Sequence, residues 1–216
     1  MTALVASALK PAGHSFAAAD FFAPLLDLGL KVSADKEVRM PFQPQRFERA
    51  VLAVTGQPLS ATLESRCSAY AAAKTPPQKA QCVRELMAAL DAEMDAETGQ
   101  EVMARCACIG PGVIDRALAI QQEASDLDDL LVQLNAVHIG GGQLRLEDDT
   151  IHATYEHCYC GSVNRTRTPI PGPYCACSCG WYARLFEALL GRPVEVELLS
   201  SIIQGDPQCR FAIRIG

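Results

Sequence analysis

Apolar residues recur at a spacing close to 3.6 residues along the first two thirds of the chain, and this period predicts helices. The longest run covers residues 79–103, where Leu86, Leu90 and Met94 share one face and residues 95–99 divide the run into two helices. Ser60 offers a hydroxyl cap to an earlier helix, which stops before Pro76-Pro77. The other predicted helices cover residues 17–30, 47–54, 113–123, 125–137 and 181–190.

After Gly140-Gly141-Gly142 the period changes to an alternation of apolar and polar residues, which predicts strands. The predicted strands cover residues 144–147, 151–155, 194–203 and 210–215. The predicted elements come in the order helices, strand hairpin, helix, strand hairpin, and this order indicates an α+β fold. We expect N-terminal helices packed on a C-terminal antiparallel sheet with helices on one face. The expected division is a helical region over residues 1–139 and an α+β domain over residues 140–216.

Composition and charge narrow the classes of function. The 216 residues are 49% hydrophobic and carry a net charge of -6 without a long basic run, which argues against a nucleic-acid partner. No window approaches 18 apolar residues free of charges, so we expect no membrane-spanning helix. The N-terminal 30 residues lack the basic and continuous apolar regions of a secretion signal, which predicts a cytoplasmic protein with reduced thiols.

Ten cysteines in a reducing compartment indicate metal binding or redox chemistry, and six of the ten lie between residues 157 and 209. Thiolates suit zinc, and a Cys-x-Cys pair chelates well in a loop, which Pro173 predicts for residues 175–179. The expected metal ligands are Cys158, Cys160, Cys175, Cys177 and Cys209. An iron–sulfur cluster, a reversible dithiol and a cysteine-rich core remain open as alternatives. Whether Cys106 and Cys108 join the same site is also open.

Catalysis is the other chemical possibility. Cys179 precedes the helix predicted at 181–190, so the helix dipole could lower its pKa and make it a nucleophile. His138, His152 and His157 are candidate bases. The sequence contains no Cys/His or Ser/His/Asp pattern typical of a hydrolase family.

The C-terminal run of Gly180-Trp181-Tyr182, a helix ending in Gly191-Arg-Pro-Val194, a strand, and Gly205-Asp-Pro-Gln-Cys209-Arg-Phe211 resembles the 4-vinyl reductase-like domain. That module binds small molecules in the aromatic-effector sensors of bacterial transcription activators. The resemblance covers about residues 140–216 and extends loosely to thiazoline-carboxylate hydrolase-like bacterial proteins. It implies an apolar ligand pocket, here lined by Tyr155, Trp181, Tyr182 and Phe186. Metal-binding members carry a second cysteine eight residues before the one matching Cys209, where this chain has Ser201.

These observations together predict a small-molecule-binding or sensor-type protein with a cysteine-ligated metal, zinc, beside an apolar pocket. The alternative is a small hydrolase or thiol-dependent enzyme that uses a cysteine nucleophile or a metal-bound water. A homodimer formed through the helical region is a further expectation.

Overall fold

Proline and hydroxyl or carboxylate caps set the starts of the helices. The computed structural model of the protein describes residues 41–163, 169–170 and 172–216, so the helix expected at 17–30 lies outside the described residues. Within them are seven α-helices: α1 (Pro44–Thr55), α2 (Ala61–Ala72), α3 (Pro76–Glu93), α4 (Ala96–Arg105), α5 (Pro111–Glu123), α6 (Leu127–Ala136) and α7 (Ala176–Leu190). Ser60 caps α2 as expected, and its hydroxyl accepts a hydrogen bond from the backbone N–H of Leu63.

The break expected at residues 95–99 is confirmed and lies at the start of that segment. The helix α3 stops at Glu93, and the Asp95 carboxylate caps α4 by accepting a hydrogen bond from the Thr98 backbone N–H. A similar cap opens α6, where the Asp126 carboxylate accepts a hydrogen bond from the N–H of Asp129.

Four strands form one antiparallel sheet in the C-terminal part of the chain: β1 (Leu144–Glu147), β2 (Thr150–Tyr155), β3 (Glu195–Ser200) and β4 (Cys209–Arg214), in the order β1-β2-β4-β3. The alternation in the sequence corresponds to the two faces of this sheet. The inner face carries the buried Ile151, Phe211 and Ile213, which pack with side chains of α6 and α7. The α+β prediction is confirmed.

The buried side chains form two hydrophobic clusters, and each draws on residues from both sides of position 140. The first joins α1–α4 to Tyr174 and Ile203, and the second joins α5, α6 and α7 to the sheet. Residues 39–216 form one compact unit. The division at 139/140 stays a prediction.

One prediction about the cysteine-rich segment is wrong. Residues 175–179 were expected in a loop, but Gly172–Cys175 forms a 3₁₀ turn that leads directly into α7 at Ala176. Proline is well tolerated in the first turn of a helix, because its missing N–H has no helical partner there. Pro173 therefore marks the start of this helical segment, and Cys177 and Cys179 lie on the helix.

Candidate functional site: a cavity lined by four thiols

The site is created by the close crossing of α4 and α7. Gly180 of α7 lies so near the end of α4 that a Cβ atom at this position would stand 1.9 Å from the carbonyl oxygen of Ala104. Arg184, one turn further along α7, donates hydrogen bonds to the carbonyl oxygens of Arg105 and Ala107 at 2.9 and 3.2 Å. The C-terminal carbonyls of a helix attract a cation, so Arg184 fastens the end of α4 to the side of α7.

Beside this crossing lies a cavity of about 30 Å³ that we call the thiol cavity. Four cysteines, a phenol, a guanidinium, an amide and three apolar side chains surround it: Pro41, Phe42, Gln43, Arg46, Met103, Cys106, Cys108, Cys160, Tyr174 and Cys177. Its four thiols come from three segments that are distant in the sequence.

Each segment places its cysteine by a local structural feature. Cys106 is the C-terminal cap residue of α4, with its backbone N–H bonded to the carbonyls of Val102 and Met103. Cys108 follows before α5 begins at Pro111. Cys160 opens a turn after β2, in which its carbonyl accepts a hydrogen bond from the N–H of Val163, and Cys177 lies in the first turn of α7.

Burial keeps these thiols protonated. Removal from water raises the pKa of Cys106 to about 12 and is the main cause of the raised pKa values of Cys108, Cys160 and Cys177. Two effects act in the opposite direction. The guanidinium groups of Arg46 and Arg184 lower the pKa values of Cys106 and Cys108, and a 2.9 Å contact with the Tyr174 hydroxyl lowers that of Cys160.

The five cysteines predicted as metal ligands are electrostatic neighbours: besides burial, which has the largest effect, Cys209, Cys158 and Cys160 raise the pKa of Cys175, and Cys160 and Cys175 raise that of Cys177. Their role as metal ligands stays a prediction. Cys160 and Cys177 line the thiol cavity. Cys175 lies 2.9 Å from the hydroxyl of the fully buried Ser201, and Cys209 accepts a 3.4 Å hydrogen bond from the N–H of Ile202 next to that serine. Cys158 is half-buried against the first hydrophobic cluster.

All ten cysteines are within the described residues, and none forms a disulfide. In this part of the chain no group of three or more histidine, cysteine, aspartate or glutamate side chains has an arrangement that could hold a metal ion. A metal in the thiol cavity would therefore require the sulfur atoms to move together.

The four aromatic residues predicted to line a ligand pocket pack on the second hydrophobic cluster. Tyr182 and Phe186 are 2% and 0% exposed, and the Tyr182 hydroxyl donates a 3.1 Å hydrogen bond to the carbonyl of Gly140. The Trp181 and Tyr182 rings meet edge-on with their centroids 5.2 Å apart, and the ring centroids of Tyr155 and Phe211 are 5.7 Å apart. None of the four lines the thiol cavity. Their role as a ligand pocket stays a prediction.

The role of Cys179 as a nucleophile stays a prediction, and its burial works against that role. Burial raises its pKa to about 11, whereas a nucleophilic cysteine needs a lowered pKa. The candidate bases have other neighbours: His152 lies 3.4 Å from Glu147, and the His157 ring stacks edge-on against Tyr159. Among the described residues, no hydrogen bond joins a histidine to a cysteine.

Sequence reasoning left Cys106 and Cys108 outside the candidate ligand set, although they supply half of the thiols around the cavity. A Cys-x-Cys pair at a helix end before Gly110-Pro111-Gly112 was visible in the sequence. The missing information was the crossing at Gly180, since a small residue in a helix does not by itself identify its neighbour.

Residues 64–215 match a family described as a family of unknown function, DUF6144. The chain belongs to this family. The match covers all four cavity cysteines together with α3–α7 and the whole sheet. No curated protein sequence matches this DUF6144 member.

A solved structure shows a distant likeness. It is the phenol-responsive sensory domain of the transcription activator PoxR with phenol, which is 15% identical, with 73% of this chain and 92% of that chain covered and a TM-score of 0.35. Phenol binding is a property of that domain. The resemblance of this DUF6144 member to the 4-vinyl reductase-like domain stays a prediction. Among its described helices, none combines the length and the apolar character needed to cross a membrane.

Proposed function

We propose that this DUF6144 member is a sensor-type binding protein whose thiol cavity takes one soft metal ion, zinc first, through Cys106, Cys108, Cys160 and Cys177. The observation that carries the proposal is the convergence of four thiols, from three separate segments, on one cavity of about 30 Å³. Four thiolates around one ion are a common zinc-binding set in proteins.

Charge around the cavity supports an ion held by thiolates. Four thiolates with one divalent cation carry a net charge of about -2. Arg46 lines the cavity, and both Arg46 and Arg184 favour the thiolate forms of Cys106 and Cys108. Two guanidinium groups would therefore offset the negative charge that such a centre places in a buried region.

The volume of the cavity favours an ion over an organic ligand. Roughly 10–15 Å³ holds one water molecule, and an apolar cavity of about 150 Å³ is needed for benzene. The thiol cavity, at about 30 Å³, accommodates an ion or one to two waters. The expected pocket for a small aromatic ligand has less support. It would be lined by Tyr155, Trp181, Tyr182 and Phe186, and a ligand there would displace Tyr182 and Phe186 from the core.

Binding would join three segments: the end of α4, the turn that follows Cys160 and the start of α7. A metal that binds only the native state stabilises it by RT ln(1 + c/Kd), where c is the free metal concentration, so the stability of these segments would rise with metal concentration. The metal would supply this cross-link, and the residues of the chain supply the ligands and the compensating charge.

The first test is elemental analysis of the purified protein together with titration of its free thiols. We expect about one zinc per chain and about four thiols protected until chelator is added. Cobalt should give the sulfur-to-metal charge-transfer absorption of a thiolate site. Cys108→Ser should weaken metal binding at least about tenfold, because it removes one of four ligands. Cys82→Ser on α3, which is outside the cavity, should leave binding unchanged.

The protons that the thiols release give a second measurement of metal binding. Because burial raises the pKa values of all four cysteines, metal binding near pH 7 must release protons, and affinity should rise with pH. Calorimetry in two buffers of different ionisation enthalpy measures the number released. Absence of metal, of the cobalt absorption and of proton release would refute the proposal.

A reversible dithiol is the second candidate, and the observation that favours it is that four reduced cysteines line one cavity. It predicts that mild oxidant removes thiols in pairs and that dithiothreitol restores them, with no metal required. The enzyme alternative has less support because the pKa of Cys179 is raised.

A further inference from the structure

A second site lies on the solvent-facing side of the sheet, opposite the inner face that packs on α6 and α7. It has a volume of about 390 Å³ and is lined by Gln143, Leu144, Arg145, Thr154, Gln208 and Arg210. Five of these six side chains are polar and two are cationic, while none is acidic. We refer to it as the outer-face site.

The register of the sheet brings its polar groups together. Thr154 of β2 pairs directly with Arg210 of β4, and the Thr154 N–H bonds to the carbonyl of Gln143, just before β1. Arg145 lies two residues further along on the same side of β1. Arg145 and Arg210 therefore project from the two strands that flank β2. Arg145 pairs with His152 and Arg210 with Thr154, so their backbones lie about 12 Å apart across the sheet. Side chains of this length can converge above Thr154.

The donors at this site are free to bind a ligand. Within the described part of the chain, the Arg210 side chain has no carboxylate within 4 Å, and the side-chain amides of Gln143 and Gln208 have no hydrogen-bond partner. Arg145 is engaged only with Glu147, at 3.4 Å, and both side chains are more than half exposed. Exposed ion pairs of this kind contribute little, so an incoming anion can replace the glutamate.

We propose that the outer-face site binds a small organic anion through a phosphate or dicarboxylate head group held between Arg145 and Arg210. A guanidinium presents two parallel N–H donors to such a group, and the Thr154 hydroxyl and the two amides supply further donors. The site is open to solvent, and its volume of about 390 Å³ leaves room for a small anion. This site is on the other side of the sheet from the thiol cavity and does not depend on metal binding.

The test uses the full chain, with inorganic phosphate and succinate as separate probes at low ionic strength. Amide chemical shifts and calorimetry are recorded for each probe. We expect saturable binding of at least one of them, with the largest amide shifts at Thr154 and Arg210. Phosphate alone would identify a phosphoryl head group, and succinate alone a dicarboxylate.

The variants separate a defined site from general charge attraction. Arg210→Gln should weaken binding at least about tenfold, because it removes a charge-assisted pair of hydrogen bonds. Arg214→Gln is the matched control: it removes the same charge from the same face of β4, but Arg214 is engaged with Glu195 and Glu197 at 3.1 and 2.5 Å. Its effect should stay within about twofold. An equal loss in both variants, or no saturable binding of either probe, would overturn the proposal.

Discussion

Gly180 has a role that depends on one missing atom. A Cβ at this position would overlap the backbone of Ala104, with its carbonyl oxygen at 1.9 Å and its carbonyl carbon at 2.7 Å. Backbone atoms cannot rotate away as a flexible side chain can, so the two helices would have to separate. Gly180 thus allows the close helix approach that puts Cys177 beside Cys106 and Cys108.

We expect Gly180→Ala to destabilise the fold by about 1–3 kcal/mol, because forced overpacking of a tight contact outweighs the better helix propensity of alanine. Chemical denaturation monitored by circular dichroism measures the change. Gly112→Ala is the control, since a Cβ at Gly112, in the first turn of α5, has nothing within 4 Å. That control should leave stability unchanged or raise it by up to about 1 kcal/mol. Equal stability of the two variants would mean that the helices tolerate the extra methyl group.

At the scale of secondary-structure elements, Arg184 holds α4 and α7 together. Its guanidinium donates at 2.9 Å to the carbonyl of Arg105, the last residue of α4, and at 3.2 Å to that of Ala107, two residues later. A helix leaves its last carbonyl groups without helical donors, and Arg184 satisfies one of them. The same charge favours the thiolate forms of Cys106 and Cys108. One side chain therefore links helix packing to the chemistry of the cavity.

Arg184→Gln should lower the free energy of unfolding by about 1.5–3 kcal/mol, which is the usual contribution of hydrogen bonds from a charged donor. It should also weaken metal binding, because one of the two compensating charges is lost. Urea denaturation and a zinc competition assay measure the two effects. Arg192→Gln, an exposed residue just after α7, should change stability by less than about 0.5 kcal/mol. A similar loss in both variants would contradict a specific role for Arg184.

How far the sequence predicts these elements depends on where their determinants lie. The cap at Ser60, the break at residues 95–99 and the alternation in β2 are local signals, and the elements that they predict are present. The start of α7 was missed because Pro173 and Gly172 are compatible with either a loop or a first helical turn. The thiol cavity depends on a contact between Gly180 and Ala104, 76 positions apart, which no local pattern encodes.

At the scale of the whole molecule, the question is whether the sheet can fold without the helices before it. The inner face of the sheet packs on Leu130, Leu131 and Leu134 of α6 in one continuous cluster. The side chain of Asn135 also holds β1, through hydrogen bonds of 2.7 and 2.8 Å with the backbone of Leu144. Residues before position 140 therefore provide much of the surface on which the sheet is buried.

We accordingly expect a fragment of residues 140–216 to lack a cooperative thermal transition, whereas residues 39–216, which form one compact unit, should unfold in a single transition. The isolated sheet would expose its inner apolar face to water, and a four-stranded sheet with one helix is too small to offset the lost conformational entropy. Differential scanning calorimetry and amide dispersion in NMR spectra compare the fragments.

Leu134→Ala in the full chain tests the same packing without truncation. It should cost about 2–5 kcal/mol, because Leu134 is fully buried between α6 and the sheet. A cooperative transition in the short fragment, with a small effect of Leu134→Ala, would instead support an independent domain that begins at residue 140.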